Sequence, residues 1–131
     1  MKIRVYYEDT DAGGIVYHTN YIKYCERARS ELFFSQGIKP LEGDASGFIV
    51  RSLSVDFLAS AVLGDMLEVK SHLLKCKRST ILLQQDIYRE EQQIFSMEIK
   101  LVYIAKGKIA RIPPHFLELF EPKLCYNKRK K

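Results

Sequence analysis

The stretch that decides the fold is YYEDTDAGGIVYHTNYIKYCERAR, residues 6–29. Two acids, Asp9 and Asp11, sit in a polar turn, and Gly13-Gly14 lets the backbone fold sharply and come close to another group. The pattern then turns helical. Tyr21, Tyr24, Cys25, Ala28 and Leu32 recur at three- and four-residue steps, which predicts a helix from about Thr19 to Gln36. Thr19 or Asn20 suits the N-cap, Gly37 suits the position just past the helix, and Pro40 prevents continuation. This puts a carboxylate beside a helix N-terminus, where unpaired backbone N–H groups and the positive dipole end collect. A carboxylate facing unpaired donors is one way an acyl-transfer site is built.

Upstream, residues 2–7 alternate, with Ile3, Val5 and Tyr7 on one face, and predict a strand with one buried side. Downstream, a connector at 39–47 leads into four strand-like runs, 48–58, 66–75, 79–89 and 94–104. Leu53, Val55 and Phe57 share a face in the first of these, and Phe95, Met97, Ile99, Leu101 and Tyr103 share one in the last. Arg89 to Gln93 reads as a polar hairpin loop and Lys106-Gly107-Lys108 as a turn. Pro113-Pro114 breaks the chain before a short apolar end. A strand, one long helix and four strands predict an α+β fold whose sheet has a single helical layer. Strands of ten or eleven residues span ~33–36 Å, long enough to cover a helix of ~27 Å on one face.

The 131 residues suit one domain, expected over 1–122 and followed by a basic tail at 123–131. The apolar fraction of 47% argues against disorder throughout. No run approaches the ~18–20 apolar residues of a membrane span, and the charged start MKIRVYYEDTD lacks a signal peptide's apolar region. A cytoplasmic location is therefore expected. Cys25, Cys76 and Cys125 are single and widely spaced, and His18, His72 and His115 are scattered, so no metal site or disulfide framework is expected. Much of the net charge of +5 lies in NKRKK, residues 127–131. Such a tail is usually a solvated terminus; no nucleic-acid partner is expected, and peripheral contact with an anionic membrane stays an open alternative.

The run Tyr7-x-x-Thr10-Asp11-x-x-Gly14-x-Val16-Tyr17-His18-x-Asn20-Tyr21, followed by Glu26-Arg27-Ala28-Arg29, resembles the signature of hotdog-fold acyl-CoA thioesterases. It is similar to the 4-hydroxybenzoyl-CoA thioesterase class, and most of all to its YbgC-like branch associated with the Tol-Pal system. The likeness runs from residue 2 to about 120 and includes VRSLSVDFLASAVLGDMLEV. It implies an antiparallel sheet wrapped around a central helix, assembled as homodimers or homotetramers, and a role in lipid metabolism. It implies acyl-CoA as substrate and no separate cofactor, coenzyme A being part of the substrate. An acyl carrier protein is a further partner to consider.

By the same resemblance Asp11 matches the catalytic carboxylate. His18 matches the position whose backbone N–H polarises the thioester carbonyl, with its side chain as an added acid or base. Tyr7 joins the catalytic set. Gly14, Val16 and Tyr17 fall to substrate binding, and Lys75, Lys77, Arg78 and Ser79 to the coenzyme A phosphates. Cys76 stands where some members carry a basic residue. Read on its own residues, Asp11 could be nucleophile, general base or merely a turn acid. The Lys75–Arg78 cluster could be a solvated turn. Two other readings stay open: a hotdog dehydratase, disfavoured by the lack of Pro at the helix start, and a binding or scaffold module for an acidic carrier protein.

Overall fold

A computed structural model describes residues 1–41, 43–117 and 119. The basic tail expected at 123–131, and Cys125 within it, lie outside the described residues. Five main strands form one antiparallel sheet: β1 (Lys2–Arg4), β2 (Gly47–Phe57), β3 (Met66–Cys76), β4 (Thr80–Arg89) and β5 (Gln92–Ala105). Their spatial order is β1-β3-β4-β5-β2, and a short β6 (Lys108–Ile109) pairs with the end of β5. The long helix α1 (His18–Phe34) lies over β3 and β4, and a short α2 (Pro114–Leu117) follows β6. This is the α+β arrangement expected, one sheet against one main helix.

Period-two patterning sets the sheet's inner face. Leu67, Val69 and Leu73 of β3, Ile81, Leu83 and Ile87 of β4, and Phe95, Met97 and Ile99 of β5 are all buried. Tyr21, Tyr24, Cys25, Ala28 and Phe33 close over them from α1. Each fully buried side chain of this kind contributes about 1.5–3 kcal/mol. Two aromatic clusters brace the ends. Tyr21, Phe57 and Phe95 meet near the start of α1, with ring centroids 5.4 to 6.0 Å apart. Phe33, Phe48, Tyr103 and Phe116 meet near its end.

Two expectations are corrected. The first strand stops at Arg4 instead of Tyr7, because residues Tyr7–Asp9 wind into a 3-10 turn. The Asp9 N–H donates to Tyr6 O (3.0 Å) and the Asp9 carboxylate accepts the Tyr6 N–H (2.9 Å), which together pull the chain out of the sheet. Val5 stays in the core, but Tyr7 is 81% exposed. The helix starts at His18 with Tyr17 as N-cap, and no side chain caps it; Asn20 instead donates its Nδ2 to Asp9 O at 2.9 Å. Its end is as read: the Gly37 N–H donates to Phe34 O and the Ile38 N–H to Phe33 O, the paired bonds of a Schellman ending. Leu53 and Phe57, which share one face of β2, are both exposed. They lie on β2, an edge strand that α1 meets near its two ends, Tyr21 against Phe57 and Phe33 against Phe48.

The connector into β2 passes very close to that strand. Gly47 has φ +150°, and a Cβ there would lie 2.2 Å from Pro40 O and 2.8 Å from Leu41 Cα, both backbone atoms that cannot swing aside. Gly47→Ala is expected to lower unfolding free energy by at least about 2 kcal/mol in urea titration, through forced displacement of the 40–41 backbone.

Candidate active site

The Asp11 loop is a small hairpin. The Asp11 N–H donates to Ile15 O at 2.9 Å, the Gly14 N–H donates to Asp11 O at 3.0 Å, and Thr10 bridges Val16. The turn needs a residue with positive φ at its fourth position, and Gly14 supplies it at +83°. Within this turn the Asp11 Oδ1 accepts the Gly13 N–H at 2.8 Å. A Cβ on residue 13 would press that same oxygen at 3.3 Å, so the bare glycine lets the carboxylate lie over the turn. Asp11 is exposed and its second oxygen makes no hydrogen bond among the described residues.

Asp9 is the acid that sequence reasoning missed. It is buried, and it ties the loop at both ends. Its Oδ2 holds the Tyr6 N–H, while its carbonyl accepts the Tyr17 N–H (3.0 Å) and the Asn20 side chain (2.9 Å). The three-residue spacing from Tyr6 is that of a capping-box acid reaching back, a signal that could have found it. Tyr24 lies behind it, with a buried hydroxyl that meets no hydrogen-bond partner in good geometry among the described residues. Burial first, and the Asp9 charge second, push the Tyr24 pKa up and keep the hydroxyl neutral.

The helix start comes directly after. The His18 N–H meets no acceptor among the described residues, as expected for the first turn of a helix. The His18 ring is exposed, 4.6 Å from the Tyr17 ring and 6.0 Å from the Phe57 ring between centroids. Asp11, Gly14, Tyr17 and His18 therefore share one end of the molecule. Val16 is in the core, its N–H donating to Ala61 O. Tyr7 points outward, and its carbonyl holds Thr10. Cys25 is no rival nucleophile: burial pushes its thiol up to about 12.

The expected phosphate residues lie elsewhere. Val62, next to the start of β3, bridges Ile15 of the Asp11 loop. Lys75 is at the other end of β3, and Lys77, Arg78 and Ser79 form the turn into β4. At ~3.3 Å per residue, the two ends of an eleven-residue strand are separated by ~33 Å. The cationic end is richer than the sequence suggested. Arg111 joins Lys77 and Arg78 around a cavity of about 230 Å³, and Lys100 joins Lys75 and Lys77 around one of about 80 Å³. Strand pairing, not local sequence, brings Lys100 and Arg111 there: Lys100 is opposite Leu82, and the Ile112 N–H donates to Arg78 O.

The sequence matches the thioesterase-like superfamily over residues 5–120. The chain belongs to this family. It is 40% identical over 130 residues to the acyl-CoA thioesterase YbgC of Helicobacter pylori strain 26695, covering 91% of this chain and 97% of that protein. It is 39% identical over 113 residues to the acyl-CoA thioesterase YbgC of Haemophilus influenzae, covering 83% and 82%. Among solved structures, a probable thioesterase from Bartonella henselae superposes with a TM-score of 0.78 at 28% identity, covering 86% of this chain and 97% of that one. The sheet with its one long helix is the hotdog fold of these thioesterases, as the resemblance implied.

The two acids are thus expected to separate by substitution. Asp9→Ala should lower stability by about 1–3 kcal/mol, because it strands a tied backbone donor and loosens the helix start. Asp11→Ala, on an exposed turn, should lower it by less than about 1 kcal/mol. Urea unfolding of the two variants checks the contrast.

Proposed function

We propose that the protein hydrolyses acyl-CoA thioesters to a free fatty or aromatic acid and coenzyme A, in the cytoplasm, and does so as a dimer or a pair of dimers. The observation that carries the reading is the pairing, in a thioesterase-family loop, of an exposed acid with a helix start whose first N–H has no acceptor. The named activity of the YbgC relatives supports it.

In this reading the thioester carbonyl oxygen points at the His18 N–H, which stabilises the negative charge that builds there. The Asp11 oxygen not held by Gly13 acts on the carbonyl carbon by one of two routes. It attacks directly, the C–S bond breaks, coenzyme A leaves as thiolate, and water hydrolyses the resulting anhydride. Alternatively it takes a proton from water, and the hydroxide attacks. Gly14 and Tyr17 border the reacting group, and Tyr7 and the His18 ring stand on its open side.

Assembly follows from the two separated halves of the site. β2 runs from Gly47, at the cationic end, to Phe57, beside His18. Among the described residues it is an edge strand, paired with β5 and bridged by Leu41 at Gly47, and Ile49, Val50, Leu53 and Phe57 are exposed along it. A free apolar edge of this length calls for a partner strand. Antiparallel pairing of two copies through β2 would bring the Lys75–Ser79 turn, Lys100 and Arg111 of one copy toward Asp11 of the other. The phosphates would bind the first group by charge-assisted hydrogen bonds while the thioester reaches the second.

Two measurements test this. With a panel of acyl-CoA substrates, Asp11→Asn should lower kcat by more than ~10³ while the protein stays folded; equal rates would remove Asp11 from the mechanism. Arg78→Ala combined with Arg111→Ala should raise KM at least about tenfold with little change in kcat. Refolding this double variant together with Asp11→Asn should restore wild-type KM at one site in each mixed dimer. Mixtures that show no such low-KM activity would exclude a site shared between copies.

A further inference from the structure

Arg29 is a buried cation without an ion pair among the described residues. Only 8% of its surface is exposed, and it pairs with no carboxylate among the described residues. Its Nη1 donates to the Gln85 Oε1 at 2.9 Å. Gln85 is fully buried, and its Nε2 donates to Cys25 O (3.0 Å) and Ser71 Oγ (2.9 Å), so the amide can offer Arg29 only its oxygen. A neutral amide satisfies one N–H of the guanidinium and neutralises none of its charge. An unpaired buried charge is strongly destabilising, and burial accordingly lowers the pKa of Arg29. Glu26, three residues before Arg29 on the helix, accepts the Ser30 hydroxyl at 2.8 Å.

Beside Arg29 lies a cavity of about 250 Å³ between α1 and the β2 side of the sheet. Phe33, Phe48, Val50 and Leu101 line it, and Ser30 and Glu26 stand at its polar side. We propose that this cavity binds a carboxylate that carries an apolar chain or ring, that is, a free aliphatic or aromatic acid. The planar fork of the guanidinium matches a carboxylate with two parallel hydrogen bonds, and the aromatic and aliphatic walls take up the hydrocarbon. The Glu26 charge disfavours ligands with more than one negative charge, which selects against phosphate esters. Arg29 is eleven residues beyond His18, ~16 Å along the helix, so this is a second site and not part of the Asp11 loop. Acids of this class are what the proposed reaction releases, but the binding inference stands without that reaction.

The test is titration of the intact protein with octanoate and with benzoate at constant ionic strength, followed by calorimetry and by the shift in Tm. Acetate and inorganic phosphate serve as controls. Octanoate or benzoate should bind at one site per chain and raise Tm. Acetate and phosphate should bind at least about tenfold more weakly. Arg29→Gln should weaken acid binding at least about tenfold, and Glu26→Gln should tighten it about two- to fivefold by removing a like charge. Asp11→Asn should leave it unchanged, which separates this site from product held in the Asp11 loop. The proposal is overturned if neither acid raises Tm or binds saturably up to about 10 mM. That is also the outcome expected if a carboxylate of a second copy already fills the Arg29 cavity. Loss of binding in Asp11→Asn with none in Arg29→Gln overturns it equally. Should Arg29→Gln fail to fold, the wild-type Tm shift and the Glu26→Gln tightening decide the matter.

Discussion

A single helix of seventeen residues, about 26 Å long, lies over β3 and β4, meets β2 near its two ends and leaves much of that strand exposed. This mismatch between one helix and a wide sheet governs the rest. Burying Leu67, Leu73, Ile81, Leu83 and Ile87 under α1 forms the core. The same placement leaves Leu53 and Phe57 about half exposed although they belong to an apolar face, and among the described residues no strand pairs with the outer side of β2 beyond the Leu41 bridge at Gly47. A sheet this exposed along one edge is a poor end state for a lone chain. In the proposed dimer the bare half becomes the interface, and the two distant ends of β3 come to serve one substrate.

At the start of α1, precision comes from a residue that does no chemistry in the proposed reaction. Asp9 binds the Tyr6 N–H through its side chain and the Tyr17 N–H and Asn20 amide through its carbonyl. These three bonds fix the direction in which the chain leaves β1, the depth of the hairpin and the first turn of the helix. Asp11, two residues on, can then be held by only one short bond, to Gly13, and keep an oxygen free. Two identical side chains thus take opposite roles because one is buried among donors and the other is set on a turn.

The sequence was most legible where periodicity was long. The strands from residue 47 to 105 and the helix over Tyr21–Phe33 follow from spacing alone, and the structure moves their ends by at most two residues. It was least legible where a side chain competes with the backbone. Alternation carries on through Tyr7, but the Asp9 carboxylate captures the Tyr6 N–H and ends the strand early. Alternation also cannot tell an inner strand from an edge strand, so it does not reveal that Leu53 and Phe57 stay exposed. At the site, the Asp11 loop was visible as a motif, whereas Lys100 and Arg111 were not. They join Lys75, Lys77 and Arg78 only through strand pairing, which one sequence does not reveal.

An exposed carboxylate is a weak catalyst while water surrounds it, since charge interactions in bulk solvent are reduced many-fold relative to a drier site. Asp11 and the free His18 N–H both face that solvent in the single chain. What they lack is a wall, and one apolar surface close by is the stretch of β2 ending at Phe57, whose ring lies 6.0 Å from that of His18. A second copy closing over β2 would exclude water at the place where the carbonyl oxygen must gain charge. It would also supply the cations that hold the far end of the substrate. Catalytic geometry and subunit contact then draw on the same bare edge, so the feature that makes the isolated fold incomplete is the one that would make the assembled site work.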